Sequence, residues 1–514
     1  MGSGHILVYA FDVLMDIYTF CGWSERDAAL SILQHNLFGL DIDRRAYQLA
    51  YFAVMMKARQ YNRSIIKNGE VQPNLANFAD VMGVDTSFVS GRIREFAEQF
   101  RFADTYGSLM EVTAPDGLDG AVSEFNVSFG ISRRQLDMML RIYKNLSQKY
   151  DVVVTNPPYM GSSGMNADLS DYVKKYFPDS KSDLFACFIE KGIELAKTGG
   201  YNCMVTMQSW MFLSSFENMR KKLMLTNTIS NLMHMENIVM GIAFGTAVTA
   251  FRKGHIEGYK GTYNHIKLDD IENSVPKEFP VTGNRFAQVS TENFSKIPGM
   301  PVAYWVSENF VRAFENKNLG DYAYSFQGMI TGDNNYFLRL WYENNKNKLF
   351  VNLKNEDASK FNDIWIPYNK GGGFRKWYGN NEYTLRWIYN GTTLTRARTE
   401  NRNYYFKEGV TWSFITSGSF SCRYFPNGYL WDVAGSSVFA NSEISVYYIC
   451  ALLNCKVSQK IFNVINPTIN YQVQNIISIP VVNNNYSTKK IEDLGEENVK
   501  LSKIDWDSFE TSVI

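Results

Sequence analysis

Apolar positions in the first 275 residues switch between two spacings. Ile6, Leu7, Phe11, Leu14, Met15 and Tyr18 recur at helical intervals. Ser24 and Asp27 read as a capping box that opens a second helix through Leu33. The short apolar run Leu37–Ile42 reads as a strand, and Asp43 caps a helix to about Arg59. A strand is expected near Val71–Phe78, and Ser132 opens a helix through Gln148. Asp151–Thr155 is a β-branched run of the kind found in buried parallel strands. Ser182 is expected to cap a helix through Lys197, stopped by Gly199 and Gly200, before a strand Tyr201–Met207. A helix and two strands follow to about Lys253. Strands alternating with helices predict a doubly wound α/β sheet over residues 1–275.

From about Arg285 the pattern changes. Gly, Asn, Tyr and Trp increase and helical periodicity fades, which predicts a mixed, strand-rich domain over 285–482. Residues 483–514 are polar but carry Trp506, Phe509 and Ile514, as a C-terminal helical module would at its start.

Composition sharpens this in three ways. The 52 basic and 52 acidic side chains cancel, which excludes a chain that is basic throughout but permits a basic face. Six scattered cysteines without a CxxC pair are too few for a disulfide scaffold, so free thiols in a reducing cytoplasm are expected. Five histidines without ligand spacing point away from a metal, and no apolar run approaches the ~20 residues that span a bilayer. Aromatics at 15% suggest surfaces that stack on a ligand.

The main chemical signal is Asn156-Pro157-Pro158-Tyr159, directly after the strand Asp151–Thr155. Ligands in open α/β sheets lie beyond the carboxyl ends of strands. Two prolines stiffen the turn and leave the Pro157 carbonyl and the Asn156 side-chain oxygen as acceptors. An exocyclic amine has two hydrogens to give, and Tyr159 offers a flat face for its ring. A second signal is Gly2-Ser3-Gly4 before a helix, where backbone can approach a ligand closely. A third is Asp41, at a strand end suited to holding ribose hydroxyls. Asp43 competes for that role but fits the helix cap better.

The order Gly2-Ser3-Gly4, LFGLDID, NPPY, Asp183-Leu184-Phe185 and Gly199-Gly200 resembles the amino-methyltransferases that use S-adenosylmethionine. Thr331–Asn334, Pro367–Gly372, Phe374–Asn380 and Asn466–Asn470 resemble the adenine-N6 DNA methyltransferases of the BREX phage-defence system. The resemblance implies a Rossmann-like methyltransferase sheet followed by a mixed α/β target recognition domain. It implies S-adenosylmethionine as cofactor, with double-stranded DNA and other phage-defence proteins as partners. Asn156 and Pro157 would bind the adenine amine, next to Pro158 in the same turn. Tyr159 and Phe244 would sandwich the flipped base. Gly2, Ser3, Gly4, Asp41, Ile42, Asn156 and Phe185 would line the cofactor, with Phe185 at the edge of the cofactor or base pocket. The acid expected on the third strand has only Asp80 as a candidate.

The family's first motif is a strand ending Asp-Pro-x-x-Gly-Ser-Gly, whereas Met1 here stands beside Gly2. The resemblance therefore implies a piece of a larger reading frame that lacks the first strand and binds cofactor poorly by itself. A non-catalytic DNA-recognition subunit is the competing expectation. Cytosine-N4 and protein-glutamine methylation are weaker alternatives.

Residues Ile366–Lys407 hold eight bases against Glu382 and Glu400, interleaved with aromatic rings. Positive charge tracks phosphates and Arg can read base edges. Lys370, Arg375, Lys376, Arg386, Arg396 and Arg398 are the expected DNA contacts.

Overall fold

The computed structural model describes residues 1–66, 71–125, 130–273, 275–282, 285–394, 401–416, 418–466, 468–481 and 485–509. The chain forms two compact units, Met1–Glu292 and Asn293–Ile514.

In the first unit, α1 (His5–Phe20) buries Leu7, Phe11 and Met15, three of the positions the helical stripe predicts. After α2 (Glu25–Ser31), capped by Ser24, come β1 (Phe38–Asp41) and α3 (Arg44–Tyr61). The Asp43 side chain accepts from the Arg45 and Ala46 amides and so caps α3. β2 (Asn74–Asn77) pairs in parallel with β1. A helical insert leads to α4 (Arg133–Ser147), which opens on a complete Ser132–Gln135 capping box.

β3 (Tyr150–Thr155) follows, then α5 (Ala167–Tyr176), α6 (Leu184–Leu195), β4 (Ala196–Met207) and α7 (Glu217–Thr226). β5 (Asn227–Met235), β6 (Thr246–Lys253), β7 (Lys260–Ile266) and β8 (Phe286–Ser290) complete a six-stranded sheet of order β8-β7-β5-β6-β4-β3. β3 runs parallel to β4, and β6 runs antiparallel to both its neighbours. The sheet is thus mixed.

Two sequence expectations change here. Asp183, not Ser182, caps α6, because its carboxylate reaches the Phe185 amide. β3 is not a buried strand. It is an edge strand among the described residues, and Val152 and Val154 are 55% and 45% exposed. β1 and β3 do not pair with each other there. They meet at their first residues, where the Phe38 and Tyr150 rings pack edge-on at 5.3 Å.

The second unit holds two four-stranded sheets. β9 (Ala323–Phe326), β13 (Gly409–Trp412), β14 (Cys422–Phe425) and β16 (Ser437–Ala440) form one, in the order β9-β16-β13-β14. β10 (Leu338–Leu340), β11 (Asp363–Asn369), β12 (Tyr383–Ile388) and β15 (Leu430–Trp431) form the other, in the order β10-β12-β11-β15. Helices α8 (Val446–Asn454) and α9 (Lys456–Ile465) cover the first of these. The tail forms one 23-residue helix, α10 (Asn485–Asp507). Its Val499 and Trp506 are buried in this unit's core.

Candidate functional site

The NPPY turn leaves β3 at Thr155, and three hydrogen bonds to Ser182, Asp183 and Leu184 fix the backbone just after it. Asp183 accepts from the Met160 amide at 3.0 Å, and the Leu184 amide donates to the Met160 carbonyl at 3.0 Å. Ser162 N–H donates to the Ser182 carbonyl at 3.0 Å. The start of α6 therefore holds the turn in place. Burial raises the Asp183 carboxyl against these stabilising amide bonds. In the sequence Asp183 stands out only as part of the Asp183-Leu184-Phe185 motif. Its position before an apolar run is the sequence signal of a helix cap that could have given it this positioning role.

Within the turn Asn156 is exposed and Pro157 buried. Tyr159 Oη shares its proton between Asn156 Oδ1 at 3.0 Å and the Val205 carbonyl at 3.1 Å. Burial raises the Tyr159 phenol, so it stays protonated and donates. The Tyr159 ring meets Phe244 at 5.7 Å and Phe185 at 6.2 Å, both edge-on. Asn156, Pro157, Pro158, Tyr159 and Phe244 are thus brought to one place. Phe185 is fully buried and packs behind Tyr159 and against Phe216.

The second cluster lies at the end of β1. The Gly2 amide donates to Asp41 Oδ2 at 2.7 Å, and the Met1 amino group lies 3.2 Å from the same oxygen. Asp41 Oδ1 accepts from the Asp43 amide at 3.0 Å. Gly4 has a φ of 94° and sits so close to α3 that a Cβ would lie 2.8 Å from the Ala50 Cα. Only glycine fits there. Ser3 Oγ bonds His5 Nδ1 at 2.9 Å, and Ile42 is exposed beside Asp41. Asp80 is in the turn after β2, paired with Arg44 at 3.3 Å and Arg134 at 3.4 Å. It lines a 490 Å³ cavity with Tyr47, Tyr51 and Arg141.

In the second unit three of the expected DNA contacts are engaged by the protein itself. Arg386 forms a two-pronged bond to Asp363, at 2.9 and 3.0 Å, which holds the Asp363 carboxyl down at about 2. Arg375 reaches Asp505 at 3.3 Å and lies over the Trp506 ring. Lys376 donates to the Asn454 carbonyl at 2.9 Å. Lys370 sits over Tyr383. Arg396 and Arg398 lie outside the described residues. Half of the ten interleaved rings are core. Tyr368, Tyr378, Trp387, Tyr405 and Phe406 are buried, while Phe374 and Tyr389 are each 61% exposed.

No group of three or more His, Cys, Asp or Glu side chains stands ready for a metal among the described residues. No helix there is long and apolar enough to cross a membrane.

An NPPY turn at the end of β3 in the six-stranded sheet, and Asp41 at the end of β1 beside Gly2–Gly4 in a separate two-stranded sheet, fit a Rossmann-like α/β methyltransferase fold. Residues 35–239 match the family of the Eco57I restriction-modification methylase. The chain is 36% identical over all its length to the adenine-specific methyltransferase PglX of Lacticaseibacillus casei (strain Zhang), and covers 46% of that protein. It is equally identical over 99% of its length to the adenine-specific methyltransferase BrxX of Escherichia coli O9:H4 (strain HS), and covers 45% of it. The chain belongs to this PglX/BrxX family, and it spans about half the length of the curated relatives it matches. Its fold also resembles a nuclease-deletion mutant of the Type ISP restriction-modification enzyme LlaGI, solved with a DNA substrate mimic. The TM-score is 0.50 at 13% identity, covering 97% of this chain and 44% of that one.

Proposed function

We propose that the protein methylates the N6 amine of adenine in double-stranded DNA with S-adenosylmethionine, as part of a cytoplasmic phage-defence system. The observation that carries this reading is that Tyr159 meets both Asn156 Oδ1 and the Phe244 ring, which gathers an amide oxygen and two aromatic rings at the end of β3.

Adenine N6 is buried in a stacked duplex, so the base must leave the helix first. Asn156 and Pro157 would each take one hydrogen of the amine, which orients it and leaves electron density on nitrogen. Tyr159 and Phe244 would hold the ring. A base between them needs parallel faces about 7 Å apart, whereas the rings now touch edge-on at 5.7 Å. One ring must turn. Tyr159 is tied at its hydroxyl and braced by Phe185, so Phe244 is the ring that moves.

S-adenosylmethionine would supply the electrophilic methyl group. The residues at the end of β1 fit it in part. Gly2 leaves its backbone open to close approach, and Asp41 Oδ1 accepts one bond from the Asp43 amide and keeps a lone pair for a ribose hydroxyl. No general base is needed, because the amine proton can leave after attack. Positioning and fixed dipoles would carry the rate.

A DNA-recognition subunit without catalysis is the second reading. The observation favouring it is that Asn156 Oδ1 and both Asp41 oxygens already accept bonds within the chain. Mass spectrometry of DNA from cells expressing the protein separates the two. N6-methyladenine above the level in an otherwise identical host supports catalysis, and its absence in a chain that still binds DNA supports recognition alone.

A further inference from the structure

The segment between β5 and β6 carries Phe244 at one end and two exposed aliphatic side chains at the other. Ile238 is 58% exposed and Met240 49% exposed. Their backbone is ordered by its own hydrogen bonds. Val239 N–H donates to the Glu236 carbonyl at 3.3 Å, Gly241 N–H to Ile238 at 2.7 Å, and Ile238 N–H to Ile242 at 2.8 Å. Ile238 has a φ of 73°, a conformation that a β-branched residue adopts only under strain. That strain raises a large apolar side chain to the tip of a tight turn, where folding gains nothing from its exposure.

The foot of the loop is anchored. Glu236 N–H donates to the Ile266 carbonyl at 3.0 Å, and its carboxylate faces His265 at 3.4 Å and Lys267 at 3.7 Å. At the far end the Gln208 amide donates to the Gly245 carbonyl at 3.1 Å. Gly245 packs directly on the Gln208 side chain, where a Cβ would approach within 2.5 Å. Gln208 Oε1 in turn lies 2.5 Å from His234 Nε2, and His234 stacks on His265 at 4.9 Å. From Asn237 to Phe251 there is no charged side chain, so nothing on the tip repels phosphates.

We infer that Ile238 and Met240 form a wedge that enters the duplex stack beside the target adenine and fills the space the flipped base leaves. Aliphatic side chains of this kind part base steps in other DNA-bending proteins. Carrying the wedge and Phe244 on one anchored loop couples the two events. As the tip enters the stack, Phe244 turns onto the extruded ring. The inference rests on the DNA-methylating reading above and adds the contact that holds the base out.

The test uses the full chain and duplexes containing the sequence in which it methylates adenine, with 2-aminopurine at the target position. One duplex pairs the target with thymine and the other mismatches it, which lowers the work of flipping. The variant is Ile238→Gly with Met240→Ser. Glycine is at ease at this φ, so the fold is retained. The variant is expected to bind the matched duplex at least about tenfold more weakly, with little rise in 2-aminopurine fluorescence, and the mismatched duplex less than about threefold more weakly. Equal losses on both duplexes, or none on either, would overturn the wedge while leaving the methylation reading intact. A wild-type chain that bound neither duplex would overturn both.

Discussion

Tyr159 Oη donates to Asn156 Oδ1 at 3.0 Å, so the side-chain oxygen suited to the target amine already accepts a bond from its own motif. The hydroxyl must yield or share that oxygen when a base arrives. Tyr159→Phe keeps the flat ring and removes the competitor. We expect N6-methyladenine at or above the wild-type level in cells expressing this variant. Tyr159→Ala loses the stacking face, and a fall of about 10- to 100-fold is expected from the loss of one base–ring contact. Mass spectrometry of hydrolysed DNA measures both.

The basic side chains of the second unit are not equivalent. Arg386 is committed to Asp363, while Lys370 meets only the face of Tyr383 among the contacts described. Lys370→Ala is therefore expected to weaken DNA binding across sequences and to lower the slope of log affinity against log salt by about 0.9. Arg386→Ala is expected to leave that slope unchanged and to lower the melting temperature, because Asp363 loses its partner. Fluorescence anisotropy over a salt series, with thermal melts, checks the pair.

His234 gives a pH dependence with a definite sign. Desolvation, helped by the neighbouring His265, lowers it from 6.5 to about 4. The unfolded chain takes up this proton at higher pH than the folded one. Stability from this group is therefore present above about 6.5 and lost as pH falls towards about 4. The loss is at most about 3 kcal/mol. Urea melts across this range should show the slope, and His234→Asn should flatten it.

Gly4 is the position where a methyl group does most harm near the β1 cluster. It combines a left-handed φ with the Ala50 backbone at contact distance. Gly4→Ala is expected to destabilise the first unit by about 1–3 kcal/mol. Gly22→Ala is the control. It has a φ of 84° but open space around it, so it reports the strain without the clash. Denaturant melts of the two variants separate the contributions.

Much of the first unit was legible because its signals are local. The Ser132 capping box, the Asp43 cap and the NPPY turn after a β-branched strand all depend on residues within a few positions of one another. Exposure was harder to read. Asp151–Thr155 looks like a buried strand, and only its pairing partners reveal an edge. The partners of the basic segment were hard to read for a related reason. Asp363, Asn454 and Asp505, which engage Arg386, Lys376 and Arg375, lie far away in sequence, so those bases looked free. The sequence allows Phe185 either a pocket edge or a core position, and in the fold it is buried behind Tyr159. The Gln208–His234 contact and the exposed tip at Ile238 and Met240 have no motif at all, since each depends on strands meeting across the sheet.

Asn156→Ala tests the central claim most directly. It removes one of the two acceptors proposed for the adenine amine at an exposed position, where the fold has little to lose. The measurement is N6-methyladenine in DNA from cells expressing the variant, beside DNA binding by the purified chain. The account expects methylation to disappear while binding persists. Methylation retained at the wild-type level would contradict it.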